Sequence, residues 1–303
     1  TVNIENEMYV VRYTPIKVTY PVGNPVYPEG KVEYYSDMLE AVPYTTNCPR
    51  LEGATITLLA DVSGAGMRFM ENGMVFDLNG HTYTITDGTG SQGTNTSGFQ
   101  IRPEVTTNVL FKDGTIKVAE GAPVVWMFNC YATDFIVEDV TVDCSNMAYS
   151  YGESCYVVVS REGDNVQLTG ETKIVNFKSD VAGNAINVGG TMTIGEEVDL
   201  GANAVIVLGG GAQLTAPAGL NVVTVEDYMV VYENGVYKSV KVVAKVGDVN
   251  YESVAAAMTA AKEAGVKDLE ITIIGENTQD TDDSFNLIYA TAFDNVTIKQ
   301  NNG

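Results

Sequence analysis

Carboxylates crowd one short stretch of the chain, "DFIVEDVTVDC", which offers the first candidate chemistry. Two carboxylic acids about 5 to 10 Å apart can work as acid and base, or as acid and nucleophile, on a glycosidic bond. The competing interpretation is structural: the 26-residue offset sets Lys112 beside Glu138 and Lys117 beside Asp143 as cross-strand charge pairs on a stacked sheet. We favour the structural interpretation of the four acidic candidates, which are Asp134, Glu138, Asp139 and Asp143.

Aromatic residues offer the second candidate chemistry, the binding of sugar rings. Tyr149 and Tyr151 lie in the polar segment "SNMAYSYGES", and Trp126 lies in the apolar strand "PVVWMF". An aromatic ring gives a sugar an apolar face to stack on, with a hydroxyl or indole N–H beside it. We expect these three residues to be the ligand-binding candidates. The alternative is that the tyrosines pack their loop onto the sheet and that Trp126 belongs to the core.

Nucleophiles and nitrogen or sulfur ligands for a metal are sparse. His81 is the only histidine, and we expect it to face solvent after a turn at Asn79-Gly80. No two cysteines have CxxC spacing, so the sequence predicts no metal site. Free buried thiols are favoured over a disulfide between Cys144 and Cys155. The four cysteines are Cys48, Cys130, Cys144 and Cys155.

One loop, "NTQDTDDSFN", brings three carboxylates close together in sequence: Asp280, Asp282 and Asp283. Oxygen ligands at such spacing suit calcium, but the loop lacks the glycine and the terminal glutamate of an EF-hand. A solvated acidic loop is the favoured interpretation. The sequence therefore predicts no cofactor, and calcium is the one ion that it leaves open.

Net charge restricts the partners. The chain carries 39 acidic and 17 basic residues, a formal charge of −22. This charge repels phosphate backbones and anionic lipids, so we expect no nucleic-acid partner. A polyanionic glycan is repelled too unless calcium bridges the two surfaces. No apolar run reaches the ~18 to 20 residues of a membrane span, and "TVNIENEMYVV" lacks the pattern of a signal peptide.

The elements that must position these residues are short strands in an internal repeat. "NVLFKDGTIKV" from Asn108 matches "DFIVEDVTVDC" from Asp134 at an offset of 26 residues. A second strand set includes "GFQIRP", "PVVWMF", "CYVVVS", "NAINVGG" and "NAVIVLGG". Strands this short cannot bury a face alone, but stacked about 4.8 Å apart they form parallel sheets around a continuous core.

These rungs resemble the right-handed parallel β-helix of the pectin-lyase-like superfamily. The segment "ATITLLADV…MVFDLNGHTYTI" resembles the opening rungs of such domains in secreted bacterial surface proteins. The resemblance covers roughly residues 53–225, and that fold serves enzymes and non-enzymes alike. Polygalacturonase-type members use Gly-His-Gly and clustered aspartates, but here Thr82 follows Gly80-His81. Arg102 is the least implausible base for lyase chemistry.

The fold class that we predict is all-β, a single-stranded right-handed parallel β-helix with a short capping helix. Residues 1–30 form an extended lead-in, 31–225 the β-helix, and 226–247 a hairpin linker turning at Asn234-Gly235. Residues 248–303 form a small second α+β unit. Its helix, about residues 252–264, has an apolar face and ends at a glycine. The first helix, near residues 37–42, has Ser36 as its candidate N-cap.

The function we expect is that of a non-catalytic bacterial protein, secreted or displayed on the cell surface. It acts as an adhesin-like or glycan-binding scaffold, with a glycan or a host or cell-surface ligand as partner. The location is implied by the resemblance alone. One alternative is a glycoside hydrolase or lyase of the same fold that acts on polysaccharide. The other is a structural spacer in a larger surface protein.

Overall fold

The structure, a computed structural model, describes residues 2–5, 8–11, 13–43, 48–90, 95–102, 108–131, 133–274 and 292–301. Of residues 2–5, 8–11, 151, 153 and 301 the backbone alone is described.

Within these residues the chain is mostly β, with three α-helices and two short 3-10 segments, at Pro49–Leu51 and Tyr149–Ser154. The α-helices are α1 (Met38–Ala41), α2 (Ser179–Ala182) and α3 (Val254–Glu263). The strands are β1 (Val2–Glu5), β2 (Met8–Val11), β3 (Ile16–Val22), β4 (Glu29–Tyr35), β5 (Thr55–Leu58), β6 (Val62–Ala65), β7 (Met67–Phe69), β8 (Val75–Asp77), β9 (Thr82–Asp87), β10 (Ser97–Ile101), β11 (Asn108–Val118), β12 (Trp126–Cys130), β13 (Asp134–Asp143), β14 (Tyr156–Val159), β15 (Asn165–Thr169), β16 (Lys173–Val175), β17 (Ile186–Val188), β18 (Thr191–Ile194), β19 (Val205–Leu208), β20 (Gln213–Thr215), β21 (Asn221–Thr224), β22 (Tyr228–Glu233), β23 (Val236–Lys241), β24 (Ala244–Val246), β25 (Val249–Tyr251), β26 (Asp268–Ile274) and β27 (Asn295–Asn301).

The strands from β3 to β23 are divided between two large sheets. One has seven strands in the order β21-β19-β17-β14-β12-β10-β7, all of them parallel. The other has fourteen strands and is parallel from β5 to β20. From β7 onward the chain visits the two sheets in turn, because parallel neighbours need a crossover rather than a hairpin between them.

The predicted 26-residue repeat is confirmed by the pairing of β11 with β13. Leu110 pairs with Ile136 and Ile116 pairs with Val142, as the offset requires. In the middle of each strand an aspartate has positive φ, 60° at Asp113 and 55° at Asp139. Matching kinks keep the two strands in register, so the bend is carried from one rung to the next.

Aromatic side chains fill the space between the two sheets. Phe99 in the seven-stranded sheet lies 4.9 Å from Phe111 in the fourteen-stranded sheet, measured between ring centroids. Phe76 and Phe128 extend the same cluster, and all four rings are buried. Leu78 is buried beside Phe76, as strand alternation predicts. Each buried ring contributes about 1.5–3 kcal/mol of hydrophobic stabilisation, so this cluster is a main source of stability.

Antiparallel strands close both ends of the fourteen-stranded sheet. β3 pairs antiparallel with β4 and β5, and β23 pairs antiparallel with β20 and β22. β3 lies within the predicted lead-in, so this part of the lead-in is a sheet strand. The hairpin of β22 and β23 turns at Asn234-Gly235, the pair predicted from sequence, and both residues have positive φ.

Helix α1 packs beside the first of these ends. Met38 and Ala41 are buried, so one face of this single turn covers apolar surface. The N-cap is Asp37, whose Oδ1 accepts a hydrogen bond of 2.7 Å from the backbone N–H of Leu39. The predicted N-cap, Ser36, is therefore wrong by one residue, because the helix begins late enough for the carboxylate of Asp37 to reach its first turn.

A second, smaller core lies around α3 and the four-stranded sheet β25-β24-β26-β27. The predicted helix is confirmed, with Val254, Met258 and Ala261 buried. The Ser253 hydroxyl accepts from the backbone N–H of Ala256 at 3.0 Å, and Gly265 follows the helix with φ 69°. This core is built mainly from alanine and aliphatic side chains, and Phe293 is the aromatic residue among its buried members in the described part of the chain.

Candidate functional site

The acidic candidates are spread along β13 rather than gathered around one point. Asp134 and Asp143 lie at opposite ends of this ten-residue strand. Glu138 and Asp139 are exposed near its middle. An acid–base pair must face a single glycosidic bond from two sides, so the end residues of the strand do not form such a pair with each other.

Hydrogen bonds from neighbouring turns engage two of these carboxylates. Asp139 Oδ1 accepts from the N–H of Glu171 at 2.7 Å. Asp143 Oδ1 accepts from Ser145 N–H and from Asn176 Nδ2, each at 3.0 Å. Partial burial raises the pKa of Asp143, but the hydrogen bonds outweigh it and leave the pKa below its ordinary value. A general acid needs the opposite shift, so Asp143 is suited to anchoring a turn.

The lysine partners differ in part from those predicted. Lys112 is beside Glu138 in register, yet its Nζ lies 2.7 Å from Asp113 and 3.5 Å from Asp77. The predicted ion pair with Glu138 is therefore wrong, because Asp113 at the kink and Asp77 on the preceding rung are nearer. Lys117 lies beside Asp143, as predicted, and its charge adds to the lowering of the Asp143 pKa.

The aromatic candidates hold the segment of residues 145–155 against the sheets. The indole N–H of Trp126 donates to the carbonyl of Ser154 at 2.7 Å, and its ring packs against the core. The hydroxyl of Tyr149 donates to the carbonyl of Cys144 at 2.8 Å, and its ring lies edge-on to Phe177. These contacts match the packing alternative better than a free sugar-stacking surface. The side chain of Tyr151 lies outside the described residues.

The remaining candidates for chemistry stand apart from these. His81 is half-buried, with Nδ1 3.6 Å from Asp61 Oδ1, where the sequence predicts a solvent-facing side chain. Among the described residues no group of three His, Cys, Asp or Glu side chains is placed to hold a metal ion. The acidic loop at Asp280, Asp282 and Asp283 lies outside the described residues. The four cysteines are free thiols.

A cluster that sequence reasoning missed lies at the carboxyl ends of β10, β12 and β14, which are neighbours in the seven-stranded sheet. Arg102 and Tyr131 directly follow β10 and β12, and Arg161 is the second residue after β14; we call the three residues the Arg–Tyr ladder. Parallel pairing continues past the strand ends, since Arg102 N–H donates to the carbonyl of Phe69 and Tyr131 N–H to that of Ile101. Equivalent positions on successive rungs therefore bring the three side chains together.

Two guanidinium groups flank the phenol ring of the ladder. The guanidinium carbon of Arg161 is 3.7 Å from the centroid of the Tyr131 ring, and that of Arg102 is 5.0 Å from it. Attraction between a cation and the face of an aromatic ring stabilises each contact. Arg161 is half-buried and Arg102 is exposed, so the ladder extends from the protein into solvent.

Buried amide side chains lie next to the ladder. Asn129 is fully buried; its Oδ1 accepts from Arg161 Nη1 at 2.9 Å, and its Nδ2 donates to the Tyr131 hydroxyl at 3.2 Å. Arg161 Nη1 also donates to the carbonyl of Cys130. Gln100 pairs in register with Asn129, is 2% exposed, and has an Oε1 with no hydrogen-bond partner in the structure. A network of this kind fixes the direction of the guanidinium and phenol groups.

The ladder is a cationic spot on a strongly acidic protein. The ion pairs within 4 Å that the described residues form involve neither Arg102 nor Arg161. Arg102 therefore keeps charge and donors that a ligand can use, and guanidinium groups suit oxyanions. Arg161 lies beside the buried carboxylate of Asp164, whose Oδ2 accepts from the backbone N–H of Arg161 at 2.5 Å. Arginine, tyrosine and amide groups together are suited to binding a polar ligand. The sequence signal is confined to single arginines near the ends of two strands of the second set, Arg102 in "GFQIRP" and Arg161 after "CYVVVS".

Comparisons with protein-family models, with curated proteins and with solved structures find no match for this chain. The resemblance to the pectin-lyase-like superfamily therefore remains a prediction made from residue patterns. In the described part of the chain, no helix combines the length and the apolar character needed to cross a membrane.

Proposed function

We propose that this chain is a non-catalytic bacterial protein, secreted or held on the cell surface, that binds glycans as an adhesin-like scaffold. The two parallel sheets visited in turn support a single right-handed parallel β-helix, because crossovers between parallel strands of one sheet are almost always right-handed. A stack of rungs is a stiff rod with long side faces, and such a face suits the binding of an extended ligand.

The observation that carries the binding proposal is the Arg–Tyr ladder. It combines an aromatic ring and an exposed arginine with free donors, and a second arginine and buried amide groups hold the ring in place. Sugar hydroxyls and carboxylates need donors and acceptors of this kind held in fixed directions. The ladder replaces Tyr149 and Trp126 as the favoured site, because those two residues are engaged in packing.

Acid–base catalysis is less well supported than binding. The carboxylates of β13 are spread along the strand, and hydrogen bonds hold the pKa of Asp143 below its ordinary value. The spacer alternative rests on a different observation, the second unit with its own core. The spacer requires no ligand, so a binding measurement separates it from the proposed function.

The test is binding of the purified chain to a broad glycan array, with and without calcium. We compare the wild type with Tyr131→Ala and with Tyr149→Ala, and check by thermal unfolding that both variants are folded. We expect reproducible binding that Tyr131→Ala abolishes and Tyr149→Ala retains. Binding lost only in Tyr149→Ala would place the site at Tyr149, in the segment that also contains Tyr151. No binding in either condition would contradict the proposal and favour the spacer.

A further inference from the structure

The charge around the Arg–Tyr ladder contrasts with the charge of the whole chain. Arg102 and Arg161 follow β10 and β14, the two strands that flank β12, and these strands are about 10 Å apart at the strand spacing of a sheet. The chain as a whole has a formal net charge of −22. A ligand that reaches the ladder therefore meets local attraction within a field that repels negative charge.

We infer that the ligand of the ladder is a glycan that carries a single carboxylate near its bound end, and that Arg102 is the residue that selects it. This inference rests on the proposed function. The exposed guanidinium of Arg102 has a planar fork of N–H groups that matches the two oxygens of a carboxylate. The hydrogen bonds of Arg161 to Asn129 and Cys130 keep the second guanidinium in a fixed place beside it.

The same charges exclude long polyanions. A single carboxylate interacts mainly with the two arginines, which lie within about one Debye length of it at physiological salt. A chain with a charge on every sugar extends beyond the two arginines and is repelled by the net negative charge of the protein. The two kinds of ligand therefore respond to salt in opposite directions. Added salt weakens the binding of the single carboxylate and reduces the repulsion of the polyanion.

The experiment uses three probes with the full chain. The first is an oligosaccharide with one uronic acid at its non-reducing end, the second is its methyl ester, and the third is polygalacturonate without calcium. Binding is measured by calorimetry at 20 and 200 mM salt for the wild type, Arg102→Gln, Arg102→Lys and Lys241→Gln. Lys241 is exposed on β23, and its replacement makes the same change in net charge away from the ladder.

We expect the acid to bind about tenfold more tightly than its ester, as one hydrogen-bonded charge pair predicts. Arg102→Gln should remove this preference, Arg102→Lys should keep only part of it, and Lys241→Gln should leave it unchanged. Binding of the acid should weaken at high salt, and polygalacturonate should bind more weakly than the acid at low salt.

Equal binding of acid and ester at the ladder would overturn the inference and leave the proposed function standing. Tighter binding of polygalacturonate than of the single acid at low salt would overturn it as well. A preference for the acid that survives Arg102→Gln would remove Arg102 from the selecting role. If none of the three probes binds and the glycan array shows no binding either, both the inference and the proposed function fail.

Discussion

Two regions of this molecule begin in the same way and then differ in what is built on them. In the first, the hairpin β3–β4 is followed by α1, then by β5, which pairs antiparallel with β3 and parallel with β8. In the second, the hairpin β24–β25 is followed by α3, then by β26, which pairs antiparallel with β24 and parallel with β27. The order of elements and the direction of every pairing are the same.

The difference lies in the core that each start supports. Rungs stacked on β8 bring in Phe99, Phe111 and Phe128, whereas the second core consists mainly of alanine, valine, leucine and isoleucine with Phe293. The helix α1 of the first region has four residues, whereas α3 of the second region has ten. We infer that the hairpin, the helix and the first parallel strand pair form one structural unit with an apolar face. Either stacked rungs or a longer helix must cover that face.

The largest contrast between the two regions should come from thiol chemistry, because the four cysteines all lie in the first region. Burial raises the pKa of Cys155 to about 12, and it raises the pKa of Cys130 and Cys144 as well. The thiolate is the reactive form, so these thiols should resist a disulfide reagent at pH 8 and react at once in urea. The unfolded thiols ionise near pH 8.5 while the buried ones do not, so stability should fall as pH rises above that value.

Labelling over a series of urea concentrations, at pH 8 and at pH 9.5, checks this expectation. The midpoint of labelling then reports unfolding of the first region alone, and it should move to lower urea at pH 9.5. Rapid labelling of all four thiols in the native protein would contradict the burial on which it depends.

A matched pair of core truncations sharpens the comparison. Phe111→Ala should destabilise the first region by about 3–5 kcal/mol and lower the midpoint of thiol labelling. Ile271→Ala should destabilise the second region by about 2–5 kcal/mol and leave that midpoint in place, because the two cores are separate clusters. Hydrogen exchange of residues 244–274 provides the signal for the second region. Equal shifts of thiol labelling in both variants would mean that the cores unfold as one unit.

The smallest effects should come from the two helix caps. Asp37→Ala and Ser253→Ala each remove an acceptor of a backbone N–H and should cost about 1 kcal/mol of the free energy of unfolding of their own region. Asp37→Ser and Ser253→Asp keep an acceptor and serve as matched controls. Denaturant unfolding, followed by thiol labelling for the first cap and by hydrogen exchange for the second, separates the two. A larger loss for the controls than for the alanine variants would refute the capping role.

Much of the rung structure follows from local pattern. The 26-residue register of β11 and β13 is predictable because parallel stacking places like residues beside like, and apolar, threonine and aspartate positions recur together. The turn at Asn79-Gly80 is predictable because both residues adopt positive φ, 50° and 79°, at low cost. The helix α3 is predictable from its apolar face and from the glycine that ends it.

The partners of polar side chains follow less directly. Lys112 was expected to pair with Glu138 across the sheet, but the kink at Asp113 brings a nearer carboxylate to the ammonium group. Asp37 rather than Ser36 caps α1, because one residue of difference in the start of a helix changes which side chain reaches the free N–H. These outcomes depend on distances of a few ångströms that sequence spacing does not define.

The sequence by itself determined the strand-and-turn character, the register of the main repeat, the excess of negative charge and the second helical unit, since each depends on residue type and short-range periodicity. Only the tertiary structure determined that the three residues of the Arg–Tyr ladder lie together. Arg102, Tyr131 and Arg161 are 29 and 30 residues apart and follow no repeat of their own type. They meet because connections of different length return the chain to the same edge of one sheet, and that return is a property of the packed rungs.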